Sequence, residues 1–170
     1  MDARENGDIG IEEEVEADSW KLLVDGGNDE NLATEGLTLD AIKSLPRVEM
    51  VTELKCIEGW SQILQWAGAR FSDFAEKYGP GSRTEYVSME TPDHGYYVGL
   101  DMDSALHPQT LLAYEMNDAP LTSAHGAPLR LVIPVKYGIK NIKRIGTIRF
   151  TDRRPTDYWA ERGYDWYAGH

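Results

Sequence analysis

Cysteine is nearly absent: Cys56 is the one thiol in a chain of 170 residues. A lone thiol excludes an internal disulfide framework and a zinc site built from several cysteines. The four histidines, His94, His107, His125 and His170, show no metal-ligand spacing, which argues against a metal held by several protein side chains. Long apolar runs are missing as well. No segment approaches the ~20 residues that a membrane-crossing helix needs, and the polar opening "MDARENGDIG" is unlike a signal peptide. Neither a Walker loop nor a G-x-G-x-x-G turn is present, so nucleotide cofactors lack their usual cradle. The nearest approach to a hydrolase elbow, Gly59-Trp60-Ser61-Gln62-Ile63, lacks the second glycine.

Bases are scarce where the chain begins. Residues 1–35 hold twelve Asp or Glu against two Lys or Arg, so ten of the twelve net negative charges lie there. The rest of the chain is nearly neutral but uneven. Between residues 130 and 154 stand eight bases (Arg130, Lys136, Lys140, Lys143, Arg144, Arg149, Arg153, Arg154) against Asp152 alone. Such a block attracts an anion, whether phosphate ester, nucleic acid or acidic partner. No aromatic stacking platform accompanies it, which argues against nucleic acid. Within the block, Lys136 and Lys140 read as solvated loop charges. With 41% hydrophobic and 27% charged residues, the chain has the balance of an ordinary globular protein.

Residues 1–18, with the run "IEEEVEAD", show too little apolar periodicity to pack and read as an acidic, mobile leader; residues 19–170 read as one domain. "WKLLVDG" predicts a strand ending at Gly26-Gly27. "LTLDAIKSLP" predicts a short helix capped by Thr38 and stopped before Pro46. The alternation in "VEMVTELKC" predicts a strand that delivers Cys56 to its end. A short extended piece and a helix from Phe71 to Tyr78, ended by Gly79-Pro80, follow. "TEYVSME", "GYYVGLD", "TLLAYEMN", "PLRLVIP" and "IKRIGTIRFTD" predict strands, with a turn at Asn117-Asp118 and a helical turn at Asp103–Leu106. Strands and short helices do not alternate as βαβ units, so the class is α+β dominated by sheet.

On its own residues Cys56 stays ambiguous. Free cysteine is among the most buried residue types, and the neighbouring Glu58 would raise rather than lower a thiol pKa. A histidine partner for a nucleophile cannot be read from spacing.

Taken together, the segments from Trp20 onward resemble the molybdopterin-binding domain of the sulfite oxidase family. The likeness is strongest over "LLAYEMNDAPLTSAHGAPLRLVIPVKYGIKNIKRIG", residues 111–146, which is similar to that family's pterin- and phosphate-gripping signature. The resemblance implies a sulfite-oxidase-like fold of mixed β-sheets with short peripheral helices, and a mononuclear molybdenum with molybdopterin. It implies that Cys56 is the metal ligand, in keeping with the preference of soft thiolates for polarizable metals. It further implies that His125 touches the cofactor and that Arg130 holds its phosphate, a task suited to a planar fork of donors. Asn141, Ile142 and Lys143 correspond to a segment whose backbone and lysine contact the pterin. Thr91 and Asp93 correspond to cofactor contacts of two branches of the family, and Tyr164 to an active-site tyrosine.

The activity implied is two-electron oxygen-atom transfer on a small-molecule substrate, with electrons exchanged with a b-type cytochrome. Trp60 would wall the approach to the metal. Sulfite is disfavoured, because Ile57-Glu58-Gly59-Trp60 stands where sulfite oxidases carry an arginine-bearing segment. An upstream pterin-completing loop has only Asn6 as a candidate. That gap favours the alternative, a cofactor-free relative serving as an interaction domain for a membrane cytochrome.

Overall fold

The computed structural model describes residues 9–11, 15–55 and 59–169. Two sheets pack on a shared main core. In the first, β1 (Leu23–Asp25) runs parallel to β9 (Thr147–Thr151), which pairs antiparallel with β4 (Tyr86–Glu90), and that with β5 (Tyr97–Asp101). The second runs β2 (Arg47–Lys55), β3 (Ser61–Arg70), β6 (Leu111–Met116) and the two-residue β7 (Ala119–Pro120), with β8 (Arg130–Val132) also on β6. These are the mixed sheets and short helices of an α+β fold.

The helices start where their ends are satisfied. The Thr38 side chain accepts the Ala41 N–H at 3.2 Å and opens α1 (Leu39–Lys43). No side chain caps α2 (Phe71–Tyr78); there the Phe71 N–H is taken by the Thr110 carbonyl at 2.9 Å, and Gly79 closes the helix onto Ala75. Asp101 caps α3 (Met102–Ala105), one residue earlier than the sequence predicts. Asn117 and Asp118 take φ of 51° and 65° in the tight turn between β6 and β7.

Three expectations need revision. The extended piece before α2 is a ten-residue strand, β3, nine of whose residues pair with β2, from Arg47 opposite Ala69 to Lys55 opposite Ser61. Residues 142–146, expected to begin the last strand, lie outside it; they are held to two neighbours by Leu131 N–H to Ile142 O (2.9 Å) and Gly146 N–H to Glu90 O (2.7 Å). "PLRLVIP" keeps only three residues in β8.

Strand alternation sorts β6 and β8 onto two cores. Leu112, Tyr114 and Leu131 face the main cluster with Phe71, Phe74, Met89, Ile142 and Phe150. Leu111, Ala113 and Val132 face a second cluster with Leu64, Trp66 and Leu121. Both faces of these strands are therefore buried, which is why they read as continuous apolar runs. At the chain's start, Ile9 and Val15 pack against the main cluster, so part of the segment read as a leader contributes to burial.

Candidate functional site

Arg130 begins β8 opposite Ala113, and by strand parity its side chain lies on the same sheet face as Val132 and Trp66. It is 4% exposed, and its guanidinium sits 4.7 Å from the centre of the Trp66 ring. Among the described residues its N–H groups reach backbone carbonyls alone, at 3.4 Å to His125, 3.3 Å to Asn141 and 3.4 Å to Leu131. Among the described residues no carboxylate pairs with it. Burial pushes its pKa down to about 10, as expected for a cation out of water without a counter-charge. Beneath it, the Trp66 indole N–H is buried and finds no acceptor among the described residues. A buried orphan donor and an uncompensated buried cation both call for an explanation. One acceptor-rich anion would satisfy both.

Two loops complete the surroundings. His125 ends a short turn, Ser123–His125, and Gly126 follows with φ of 98°. A side chain at Gly126 would collide with the Lys143 carbonyl, so glycine is what lets this loop lie against the 141–143 segment. In return the Lys143 ammonium donates to the Ala124 carbonyl at 3.3 Å. Asn141 spends its side chain on the backbone, accepting from Ile133 N–H (2.7 Å) and donating to Tyr137 O (3.0 Å). It thereby holds β8 to the following turn. Arg144, also buried, donates to the Ala127 carbonyl at 2.8 Å and the Ser123 hydroxyl at 3.1 Å.

Thr91 and Asp93 form the turn between β4 and β5 and bind each other: the Thr91 hydroxyl donates to the Asp93 carboxylate at 2.6 Å. That bond, reinforced by the Gly95 N–H, holds the Asp93 pKa below the ordinary carboxylate value despite opposition from burial. Gly10, at φ of 84°, brings the chain's start against the Thr91 side chain. Gly146 ties the same turn region to residues 141–146 through its bond to Glu90.

The structure thus brings His125, Arg130, Asn141, Ile142 and Lys143 into one cluster, with Thr91 and Asp93 at its border. Tyr164, in the tail, is 41% exposed and edge-on to Trp159 at 5.3 Å. Cys56, Ile57, Glu58 and Asn6 lie outside the described residues; the described strand ends that flank Cys56 are Lys55 and, across the ribbon, Ser61. Trp66, Ser123 and Arg144 were missed. A tryptophan inside an apolar run carries no sequence signal of an orphan N–H, and Arg144 looked like one base of a block.

That block is not one surface. Lys136 and Lys140 are buried rather than solvated, because the tail folds back over them: Tyr137 N–H bonds Ala168 O at 2.8 Å. Lys140 pairs with Asp157 at 2.5 Å and Lys136 with Asp101 at 3.1 Å. Arg149, Arg153 and Arg154 line a separate cavity of about 480 Å³ on the outer face of the first sheet.

A chain with this site has known relatives. YedZ1 of Azospira oryzae, provisionally named a protein-methionine-sulfoxide reductase subunit, is 38% identical over 156 residues, 92% of this chain and 58% of that protein. The protein-methionine-sulfoxide reductase catalytic subunit MsrP is 36% identical in Xanthomonas campestris, over 84% of this chain and 48% of that one, and 32% identical in Campylobacter jejuni, over 94% and 59%. The chain therefore spans about half the length of these relatives. The sulfane dehydrogenase SoxCD of Paracoccus pantotrophus shares the fold, with a TM-score of 0.74 at 17% identity over 83% of this chain and 40% of that one. Residues 9–159 match the family described as the oxidoreductase molybdopterin binding domain, and the chain belongs to that family.

Proposed function

We propose that this domain binds molybdopterin with a mononuclear molybdenum and reduces methionine sulfoxide. The net reaction breaks the sulfoxide S–O bond, takes up two electrons and two protons, and releases the thioether and water. The bound cofactor would supply the two-electron redox centre and the acceptor of the oxygen atom. The single observation that carries the reading is Arg130, a buried guanidinium with no carboxylate partner among the described residues, lying over the Trp66 ring, whose N–H finds no acceptor among them. A phosphate matches both the fork and the missing acceptor.

In this reading Arg130 and Lys143 neutralise the cofactor phosphate, His125 and the backbone of 141–143 orient the pterin, and Cys56 ligates the metal. Thr91 and Asp93 border the pterin as one bonded turn. Trp60 walls the approach, and Tyr164 donates to the substrate oxygen. The direction of transfer is taken from the relatives named as reductases. Their being named as subunits supports an electron-supplying partner, which we assign to a b-type cytochrome. Among the described residues no helix is long and apolar enough to cross a membrane.

The test is metal and pterin analysis of protein made in a host that synthesises the cofactor. About one molybdenum per chain is expected, lost in Cys56→Ser. Protein that carries no molybdenum in either form would overturn the reading in favour of a cofactor-free interaction domain.

A further inference from the structure

Among the described residues the second sheet ends on β2, and its outer edge has no partner strand. Nine residues, Arg47–Lys55, pair with β3 on one side, and no described residue pairs with the other. At about 3.3 Å per residue the edge is about 30 Å long. Edges of this kind invite another strand, and proteins ordinarily shorten, charge or cover them. The charges here blunt it only in part. Arg47 is turned sideways into Glu49 (2.7 Å) and Glu115 (2.6 Å), while Val51 in the middle of the strand is 67% exposed. Ile63, on the same face of the ribbon because it pairs with Glu53, is 65% exposed. Val51 and Ile63 are diagonal positions of the ribbon, within reach of each other.

We infer that this edge receives an extended polypeptide substrate, which adds to β2 as a sixth strand and so carries a methionine sulfoxide towards the Lys55 end of the strand. The inference rests on the function proposed above and names how its substrate is held. Continuity supports it: β2 runs unbroken to Lys55, and the next residue is Cys56. The chemistry supports it too. An enzyme acting on methionine sulfoxide in whatever sequence contains it has few side chains to recognise. Main-chain hydrogen bonds along a sheet edge grip any sequence, with affinity from the backbone and selectivity from alternate side chains. Val51 offers the added strand an apolar neighbour on one face.

The probes are a soluble nine-residue peptide with a central methionine sulfoxide, two versions N-methylated at alternate backbone nitrogens in either register, and N-acetyl-methionine sulfoxide amide as the minimal substrate. The protein is the cofactor-loaded chain with a reduced dye as electron donor. The parent peptide should exceed the minimal substrate at least tenfold in kcat/KM. One N-methylated register should lose that gain, with the minimal substrate unchanged. Successive residues of a strand point their N–H groups to opposite sides. One of Met50→Pro and Val51→Pro therefore removes an outward N–H without breaking the ladder to β3, and the variant that keeps the wild-type Tm should lose the gain alone. Hydrogen exchange gives a readout free of turnover: the peptide should slow exchange of the outward amides of β2. Peptides handled alike in all registers, or β2 amides that the peptide leaves unprotected, would overturn the inference, as would a second copy of the chain already pairing there. If no sulfoxide is reduced yet the amides become protected, the functional reading fails and the edge site stands.

Discussion

A guanidinium taken out of water without a carboxylate beside it is costly to fold around, and among the described residues Arg130 has none. Its carbonyl partners at 3.3–3.4 Å are weak compensation. Replacing a buried charge by an apolar side chain of similar size is often neutral or stabilising, so the cost points to a role outside folding. We expect Arg130→Met to leave the cofactor-free protein at least as stable as wild type, by thermal melting, while lowering pterin and molybdenum content at least tenfold. A large loss of apo stability would instead make Arg130 a structural residue. Asp93 gives the pH-dependent counterpart. Its pKa in the folded chain is lowered from 3.8, chiefly by the Thr91 hydroxyl. The carboxylate therefore contributes stability that is full above the unfolded value and is lost as pH falls through the lower folded value. Compared by urea denaturation, wild type should exceed Asp93→Asn at neutral pH, and the difference should shrink below about pH 4.

Among the elements, short turns and the tail carry more of the design than the helices. The turn Gly138–Lys140 is locked to β5 and the tail by the Lys140 ammonium, which donates to Asp157 at 2.5 Å and to the Gly99 carbonyl at 2.8 Å. Burial lowers the Lys140 pKa and outweighs the support from Asp157, so the lysine is held at a cost. Breaking one side of such a pair leaves the other charge buried, at about 3–5 kcal/mol. Lys140→Met should fall in that range by urea denaturation. Adding Asp157→Asn should recover part of the loss by removing the stranded carboxylate, and only part, because one amide oxygen can keep either the Gly99 N–H (3.0 Å) or the Trp159 and Ala160 N–H groups (3.2 and 3.1 Å), not both. If the double variant is no more stable than the single one, the pair is not the cause. The helices were legible because their signals are local: Thr38 at a cap, Phe71 after an extended run, Gly79-Pro80 at a stop. β3 was underestimated because its pairing with β2 is a long-range event, and a run such as Gln65–Gly68 is compatible with several extended conformations.

At the scale of the whole molecule, sheet parity assembles the candidate site. Arg130, Trp66, Ala113 and Val132 come from three strands remote in sequence, yet alternation puts all four on one face. Chain order could name Arg130, His125 and Lys143 through their resemblance to a family signature, and it could set the class as α+β. Those readings depend on residue type and local spacing, which the linear chain states outright. It could not show that Lys136 and Lys140 are buried ion-pair members, that Trp66 lies beneath Arg130 with its N–H unsatisfied, or that β2 ends the sheet. Each of those depends on which strands and which tail lie alongside, a matter of long-range packing that only the folded chain decides.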